Sequence, residues 1–254
     1  MPTGNAAIVS FAAPFYKTGH RRFVRLAQAL RPMIDYAAAR LNMVESQLRT
    51  NKVTDPAVID AFLAVPRELF VPSALRGIAY VDEDIPLGNG RALMEPMVLA
   101  RLLQLAAIRP GDKLLAVGCA TGYAVALLAG LSRSVIALEC DKRLAAIARD
   151  LLAKLGAGAQ VVEGALAEGW PMAAPYDVIL LDGAVAEVPH RLGEQLAEGG
   201  RLVGVRAPAA NPVGRGMGEA VLMTRWEGVL SSRPVFDAAV QMLPGCGRVP
   251  SFVF

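Results

Sequence analysis

The sequence predicts an α/β fold: a mostly parallel sheet covered by helices, preceded by N-terminal helices and ending in an antiparallel hairpin. Three observations carry this prediction. From Pro96 onward, short apolar runs alternate with helix-length segments, as expected of strands buried on both faces. Near the C-terminus, Glu219–Trp226 and Val229–Phe236 are separated only by Glu227-Gly228, a two-residue hairpin turn. Finally, 254 residues that are 54% hydrophobic supply a core large enough for one α/β domain.

The first 32 residues differ from the rest of the chain. They contain Lys17, Arg21, Arg22, Arg25 and Arg31, no acid, and Pro2, Pro14 and Pro32. They show no amphipathic period, and we read them as a disordered extension or an upstream stretch with Met33 as the natural start. The alternative is a basic amphipathic targeting arm. Helical signal begins at Met33-Ile34-Asp35, with Asp35 the expected N-cap for Tyr36–Leu48. A second helix is expected after Val53: Thr54 or Asp55 can cap it, Pro56 suits its first turn, and Ile59, Phe62 and Leu63 form its apolar face. Pro66 and Pro72 bracket Arg67–Val71. Beyond these, Met97–Ala107, Tyr123–Leu131, Lys142–Leu155 and Pro189–Leu196 read as helices. The segments Lys113–Val117, Ser134–Leu138, Gln160–Val162, Val178–Asp182 and Arg201–Arg206 read as buried strands.

Composition narrows the function classes. No apolar run reaches the roughly 18–20 residues of a membrane span, so a soluble protein without a membrane partner is expected. The leader holds five of the 26 basic residues, leaving 21 against 23 acids in the body. A body so balanced offers no basic field for nucleic acid. Cys119, Cys140 and Cys246 lie far apart without a CxxC pair, which argues against a disulfide framework and against a metal site. A reducing cytoplasm fits this usage. The basic residues also follow Ala6–Phe15 rather than precede it, the wrong order for a secretory signal.

The run Leu114-Leu-Ala-Val-Gly-Cys-Ala-Thr-Gly-Tyr123 carries a strand through a glycine turn into a helix. Small residues there let backbone approach a ligand, and the helix start offers free N–H groups. In an alternating sheet, ligands bind at such carboxyl strand ends. The next strand ends at Glu139, 21 residues after Gly118, where a carboxylate can accept both hydroxyls of a ribose. A nucleoside cofactor is favoured over a turn that only packs helix against strand.

Further motifs give this chemistry a family. They are Pro66-Arg-Glu-Leu-Phe-Val-Pro72, Asp84-Ile-Pro-Leu-Gly88, Glu95-Pro-Met97, Val117-Gly118 to Gly122-Tyr123, Pro175-Tyr-Asp-Val-Ile179 and Gln195-Leu-Ala-Glu-Gly-Gly-Arg-Leu-Val203. Over about Met43 to Val205 the chain resembles the protein-L-isoaspartate O-methyltransferases, a family of class I S-adenosylmethionine-dependent methyltransferases. The first two motifs are the most specific to it. The resemblance implies a Rossmann-like, seven-stranded sheet, bound S-adenosyl-L-methionine, and methyl transfer to a carboxylate of damaged protein as a repair reaction. Such chemistry needs little acid–base help, because positioning and desolvation supply most of the rate. Residues 33–254 then form one domain: 33–95 a helical, acceptor-side segment, 96–206 the cofactor core, and 207–254 the hairpin and tail. The cofactor positions are Gly118, Ala120, Gly122, Glu139, Gly164 and Ala165. Met94, Glu95 and Asp182 fall on the substrate side.

The chain departs from the family pattern where chemistry is expected. The family's Thr-Ile-Ser-x-Pro stretch aligns with Ala92-Leu-Met-Glu-Pro96, so the functional serine is Met94, which donates no hydrogen bond. The acid before the glycine loop is Ala116, the middle loop glycine is Ala120, and the Gly-Asp pair after the third strand is Gly164-Ala165. Glu163 and Glu168 are the acids near enough in sequence to compensate. Asp182 is either a substrate or cofactor contact or a strand-end cap. His190 is expected to be a solvated or capping residue, Cys119 a small buried filler, and Arg91 a surface arginine, with attraction of a carboxylate substrate as its alternative. Met94 and Met97 are expected to pack in core or pocket lining. Three functions stay open: isoaspartyl methylation, methyl transfer to a different small-molecule acceptor on the same fold, and a non-catalytic binding or scaffold role. The departures predict weak or absent isoaspartyl transfer with cofactor binding partly retained.

Overall fold

The computed structural model describes residues 34–208 and 216–247. The chain divides into two units, Met1–Asp35 and Tyr36–Phe254, and every helix and strand named below belongs to the second. The expected extension, 1–32, lies outside the described residues.

The first helix, α1 (Tyr36–Met43), runs into a π turn at Val44–Leu48 and a 3-10 turn at Arg49–Asn51. The sequence predicted one α-helix to Leu48. The Ser46 and Thr50 hydroxyls donate to the carbonyls four residues back, both at 2.6 Å, a side-chain competition that loosens helical turns. In α2 (Pro56–Ala64), Asp55 is the cap: its carboxylate accepts from Ala57 N and Val58 N. Val58, Ile59, Ala61 and Phe62 are buried.

The bracketed segment forms a 3-10 turn, Arg67–Phe70, and its arginine is wholly buried. Arg67 Nε donates to Ala79 O at 2.8 Å and Nη2 to Met94 O at 2.7 Å, while its guanidinium lies 4.8 Å over the Tyr123 ring. Arg67 thus joins three segments that no helix or strand connects. A short hairpin, β1 (Ile85–Gly88) and β2 (Arg91–Leu93), follows. The sequence reading missed it, because strands of four and three residues containing Pro86 are too short for alternation to register.

The main sheet has seven strands: β3 (Lys113–Val117), β4 (Ser134–Glu139), β5 (Ala159–Glu163), β6 (Tyr176–Val185), β7 (Leu196–Arg206), β8 (Gly218–Trp226) and β9 (Val229–Ala238). Their order is β5-β4-β3-β6-β7-β8-β9. Strands β5 to β7 across this order pair in parallel, and β8 and β9 form the expected antiparallel hairpin. Helices α3 (Pro96–Ala106), α4 (Tyr123–Leu131), α5 (Lys142–Lys154) and α6 (His190–Glu194) complete the described elements. Helix α4 is buried along most of its length, whereas α5 is amphipathic and buries Leu144, Ala145, Ala148 and Leu152. The helix expected over Pro189–Leu196 keeps only five residues. Gln195 is drawn off by tertiary bonds to Trp170 N and Glu168 O, and β7 begins at Leu196.

The topology fixes where a ligand could bind. Chain order runs outward from β3 through β4 to β5, then returns to β6 on the other side of β3. The crevice beyond the carboxyl ends of β3 and β6 is therefore the switch point at which open α/β sheets bind ligands.

Candidate cofactor and acceptor site

The six residues expected to hold a cofactor lie at or just beyond the carboxyl ends of β3, β4 and β5. Gly118 follows β3 with φ +81°, and its N–H donates to Leu138 O at 2.8 Å, tying the loop to β4. Ala120 also lies in the left-handed region, at φ +50°. That conformation costs an L-residue about 1–2 kcal/mol, which is why a glycine suits this loop position. Gly122 starts α4 at φ +96°, and a Cβ there would sit 3.3 Å from the Cβ of Ala148 on α5. The loop is therefore pressed against α5. Gly164 N donates to the Glu139 carbonyl at 3.1 Å, so the turn after β5 is anchored to the same strand end. Ala165 opens the 3-10 turn Leu166–Glu168, its carbonyl accepting from Glu168 N.

Glu139 stands at the end of β4 as predicted, with no exposed surface. Its carboxylate is already engaged. Oε2 accepts from Ala120 N at 2.7 Å and Arg91 Nη2 at 2.9 Å, and Oε1 from Cys140 N at 2.9 Å and Asp141 N at 3.0 Å. The expectation that Arg91 lies on the surface is corrected here: only 4% of it is exposed, and its ion pair with Glu139 is buried. The hairpin β1–β2 drops Arg91 onto the glycine loop, where Nη2 also donates to Gly118 O at 2.8 Å.

The substrate-side residues are placed as follows. Met94 is 3% exposed and packs in the core, while its carbonyl receives Arg67. Glu95 N donates to Asp84 Oδ1, and its half-buried carboxyl, beside Asp82, Asp84 and Glu83, is pushed up to about 7 by burial and then by these like charges. Asp182 follows Leu181, the last β6 residue paired with β3, and is buried. Burial pushes its carboxyl up to about 7, against the opposing pull of Arg91. Glu139, Arg67 and Asp84 are the other charges acting on it. Asp182 and Glu95 can thus both carry a proton near neutrality, unlike solvated carboxylates.

The other residues weighed from sequence fall where expected. Cys119 is buried and its thiol pKa is raised by burial, which disfavours a thiolate. His190 is well exposed, 3.4 Å from Glu194. Glu163 pairs with Arg149 at 2.7 Å and Glu168 pairs with Arg191, so both acids near Ala165 have basic partners on the surface. Among the described residues, no group of three or more His, Cys, Asp or Glu side chains could hold a metal ion, and no helix is long and apolar enough to cross a membrane.

One occupant of the crevice had no signal in the sequence. Leu243, beyond the last strand, is 1% exposed, and a Cβ on Gly118 would come within 2.5 Å of its Cδ2. With Arg91 Nη2 3.3 Å from the same point, the space over the loop is filled by the chain's own side chains. Leu243 and Arg91 thus stand against the loop backbone that a cofactor would approach.

Comparison with known proteins bears on the family. The model of the protein-L-isoaspartate(D-aspartate) O-methyltransferase family matches residues 39–218. A protein-L-isoaspartate O-methyltransferase of Methylorubrum extorquens is 45% identical over 172 residues, 68% of this chain and 75% of that one. Among solved structures, a protein-L-isoaspartate O-methyltransferase superposes with a TM-score of 0.70 at 24% identity, covering 82% of this chain and 67% of that chain. A Plasmodium falciparum protein of the same description, in complex with S-adenosyl-L-homocysteine, gives a TM-score of 0.66 at 19% identity, covering 82% and 97%. These two likenesses are likenesses of fold.

Proposed function

The chain belongs to the protein-L-isoaspartate O-methyltransferase family, and from that premise we propose that it transfers a methyl group from S-adenosyl-L-methionine to a carboxylate of damaged protein. The observation that carries the reading is the 45% identity over 172 residues to a relative of that name, beside a family-model match over residues 39–218, which include the glycine loop, Glu139 and Asp182. The loop and both acids lie toward the carboxyl ends of β3, β4 and β6, where this class of sheet holds ligands. The carboxylate acceptor would meet an acidic wall, Asp82, Asp84 and Glu95, beside the buried Arg67. With Met94 in place of a hydroxyl, one donor toward the acceptor is missing, a loss worth about 1–3 kcal/mol. The rate on an isoaspartyl peptide is therefore expected to be roughly tenfold to a few hundredfold below that of a serine-bearing relative.

A second reading, a family member that does not turn over, is favoured by the filled space over Gly118 and the fully engaged Glu139 carboxylate. Two measurements separate the readings: calorimetric titration with S-adenosylmethionine, and transfer of a labelled methyl group to an isoaspartyl peptide. Slow but enzyme-dependent transfer supports the first reading. No transfer at millimolar cofactor sinks it.

A further inference from the structure

The two glycines flooring the crevice, Gly118 just after β3 and Gly183 near the end of β6, meet the same side chain. A Cβ on Gly118 would stand 2.5 Å from Leu243 Cδ2, and one on Gly183 would stand 2.7 Å from it. The leucine lies directly on both backbones, in a cluster with Val117, Leu138, Leu166 and Leu181. Its segment is held by a small set of bonds. Ala184 N donates to Gln241 O and Leu243 N to Ala184 O, both at 2.8 Å, and Ala186 N donates to Cys246 O at 2.9 Å. The Gln241 N–H reaches Asp84 Oδ2 at 2.9 Å. Gln241–Cys246 thus extends the sheet by one short parallel bridge, Ala184 with Met242, laid along the free end of β6. From the opposite side Arg91 closes over Gly118 and takes the carboxylate of Glu139.

A nucleoside cofactor seated on this loop must lie against the same glycine backbones and offer its hydroxyls to the same carboxylate. It cannot share that volume with an isobutyl group and a guanidinium. We propose that Gln241–Cys246, through Leu243, together with Arg91, is a built-in plug: the cofactor crevice is closed in the resting protein and opens only when this segment leaves β6. The proposal rests on the reading of the crevice as an S-adenosylmethionine site. Withdrawal is mechanically simple, because the segment follows the last strand and no strand of the sheet follows it among the described residues. Its energetic consequence is a weakened apparent affinity, since the intrinsic dissociation constant is divided by the fraction of molecules that are open.

The test compares the unmodified full chain with Leu243→Ala in calorimetric titrations with S-adenosylmethionine and S-adenosylhomocysteine. It also follows amide hydrogen exchange of the unmodified chain with and without saturating S-adenosylhomocysteine. The expected result is at least tenfold tighter binding by Leu243→Ala. In the unmodified chain, ligand should accelerate exchange at Ala184, Ala186 and Leu243, whose N–H groups hold the plug. Equal affinities, binding by neither protein, or ligand binding with unchanged exchange at those amides would overturn the plug. Should Leu243→Ala not fold, the exchange measurement decides alone. Methyl transfer is read separately. A variant that binds tightly but methylates no isoaspartyl peptide leaves the plug standing and removes the proposed function, whereas transfer by the unmodified chain with its plug amides protected does the reverse.

Discussion

Arg91 and Glu139, 48 residues apart, form an ion pair of 2.9 Å from which water is excluded, and the same Arg91 nitrogen bonds the carbonyl of Gly118. The pair crosses from the hairpin β1–β2 to the end of β4, so one guanidinium fixes both the glycine loop and the acid that the sequence assigned to a ribose. Three backbone N–H groups hold the rest of the carboxylate. A buried charge so surrounded is stable only while each partner remains.

Arg91→Met is accordingly expected to destabilise the protein by about 3–5 kcal/mol, the usual cost of leaving one member of a buried pair unmatched. Urea unfolding measures this. Adding Glu139→Gln should recover a substantial part of the loss, because the orphaned charge is gone. A double variant as unstable as the sum of the two single variants would show that the pair is not coupled.

The second prediction concerns Arg67, which bonds the carbonyls of Ala79 and Met94 from two nitrogens and lies over the Tyr123 ring. A lysine keeps the charge but not the planar fork, so Arg67→Lys should lower stability by about 2–4 kcal/mol. An unfolding midpoint equal to the parent's would mean that these contacts contribute nothing net.

The carboxyl of Asp182 gives a dependence on pH. Burial raises it to about 7 in the folded protein, against an ordinary value near 4 when unfolded. Between those values the folded state binds more protons than the unfolded state, so this group's stabilising contribution is complete below about pH 4 and fades as pH rises toward 7. The charged groups acting on it are Arg91, Glu139, Arg67 and Asp84. Asp182→Asn should flatten the stability profile across that window. Parallel profiles for variant and parent from pH 4 to pH 7 would contradict the assignment. Glu95, raised to about 7 as well, would leave a residual slope of the same sign in the variant.

Ala120→Gly is expected to stabilise the protein. At φ +50° the alanine Cβ is strained, and its relief outweighs the extra chain entropy that glycine brings to the unfolded state. The expected gain is about 0.5–1 kcal/mol, read as a higher urea midpoint at unchanged slope. A loss of similar size would place the strain elsewhere in the loop.

The sequence alone determined the alternation of strands and helices, the terminal hairpin, the Asp55 cap and the position of the glycine loop at the end of β3. These follow from local periods and from turn chemistry carried by neighbouring residues, so they can be read without knowing what touches what. The position of Glu139 at a strand end was legible for the same reason, whereas Asp182, expected to end its strand, lies within β6, which runs on to Val185. What Glu139 bonds to was not legible. Its partner Arg91 looked like any surface arginine, because burial of a charge depends on a counter-charge brought from another part of the chain. Leu243 was less legible still: a single leucine beyond the last strand has no period, and only the lie of Gln241–Cys246 along β6 carries it onto Gly118 and Gly183. The tertiary structure therefore decided whether the crevice is open or filled, since that depends on which distant side chains fold over a site whose floor is specified locally.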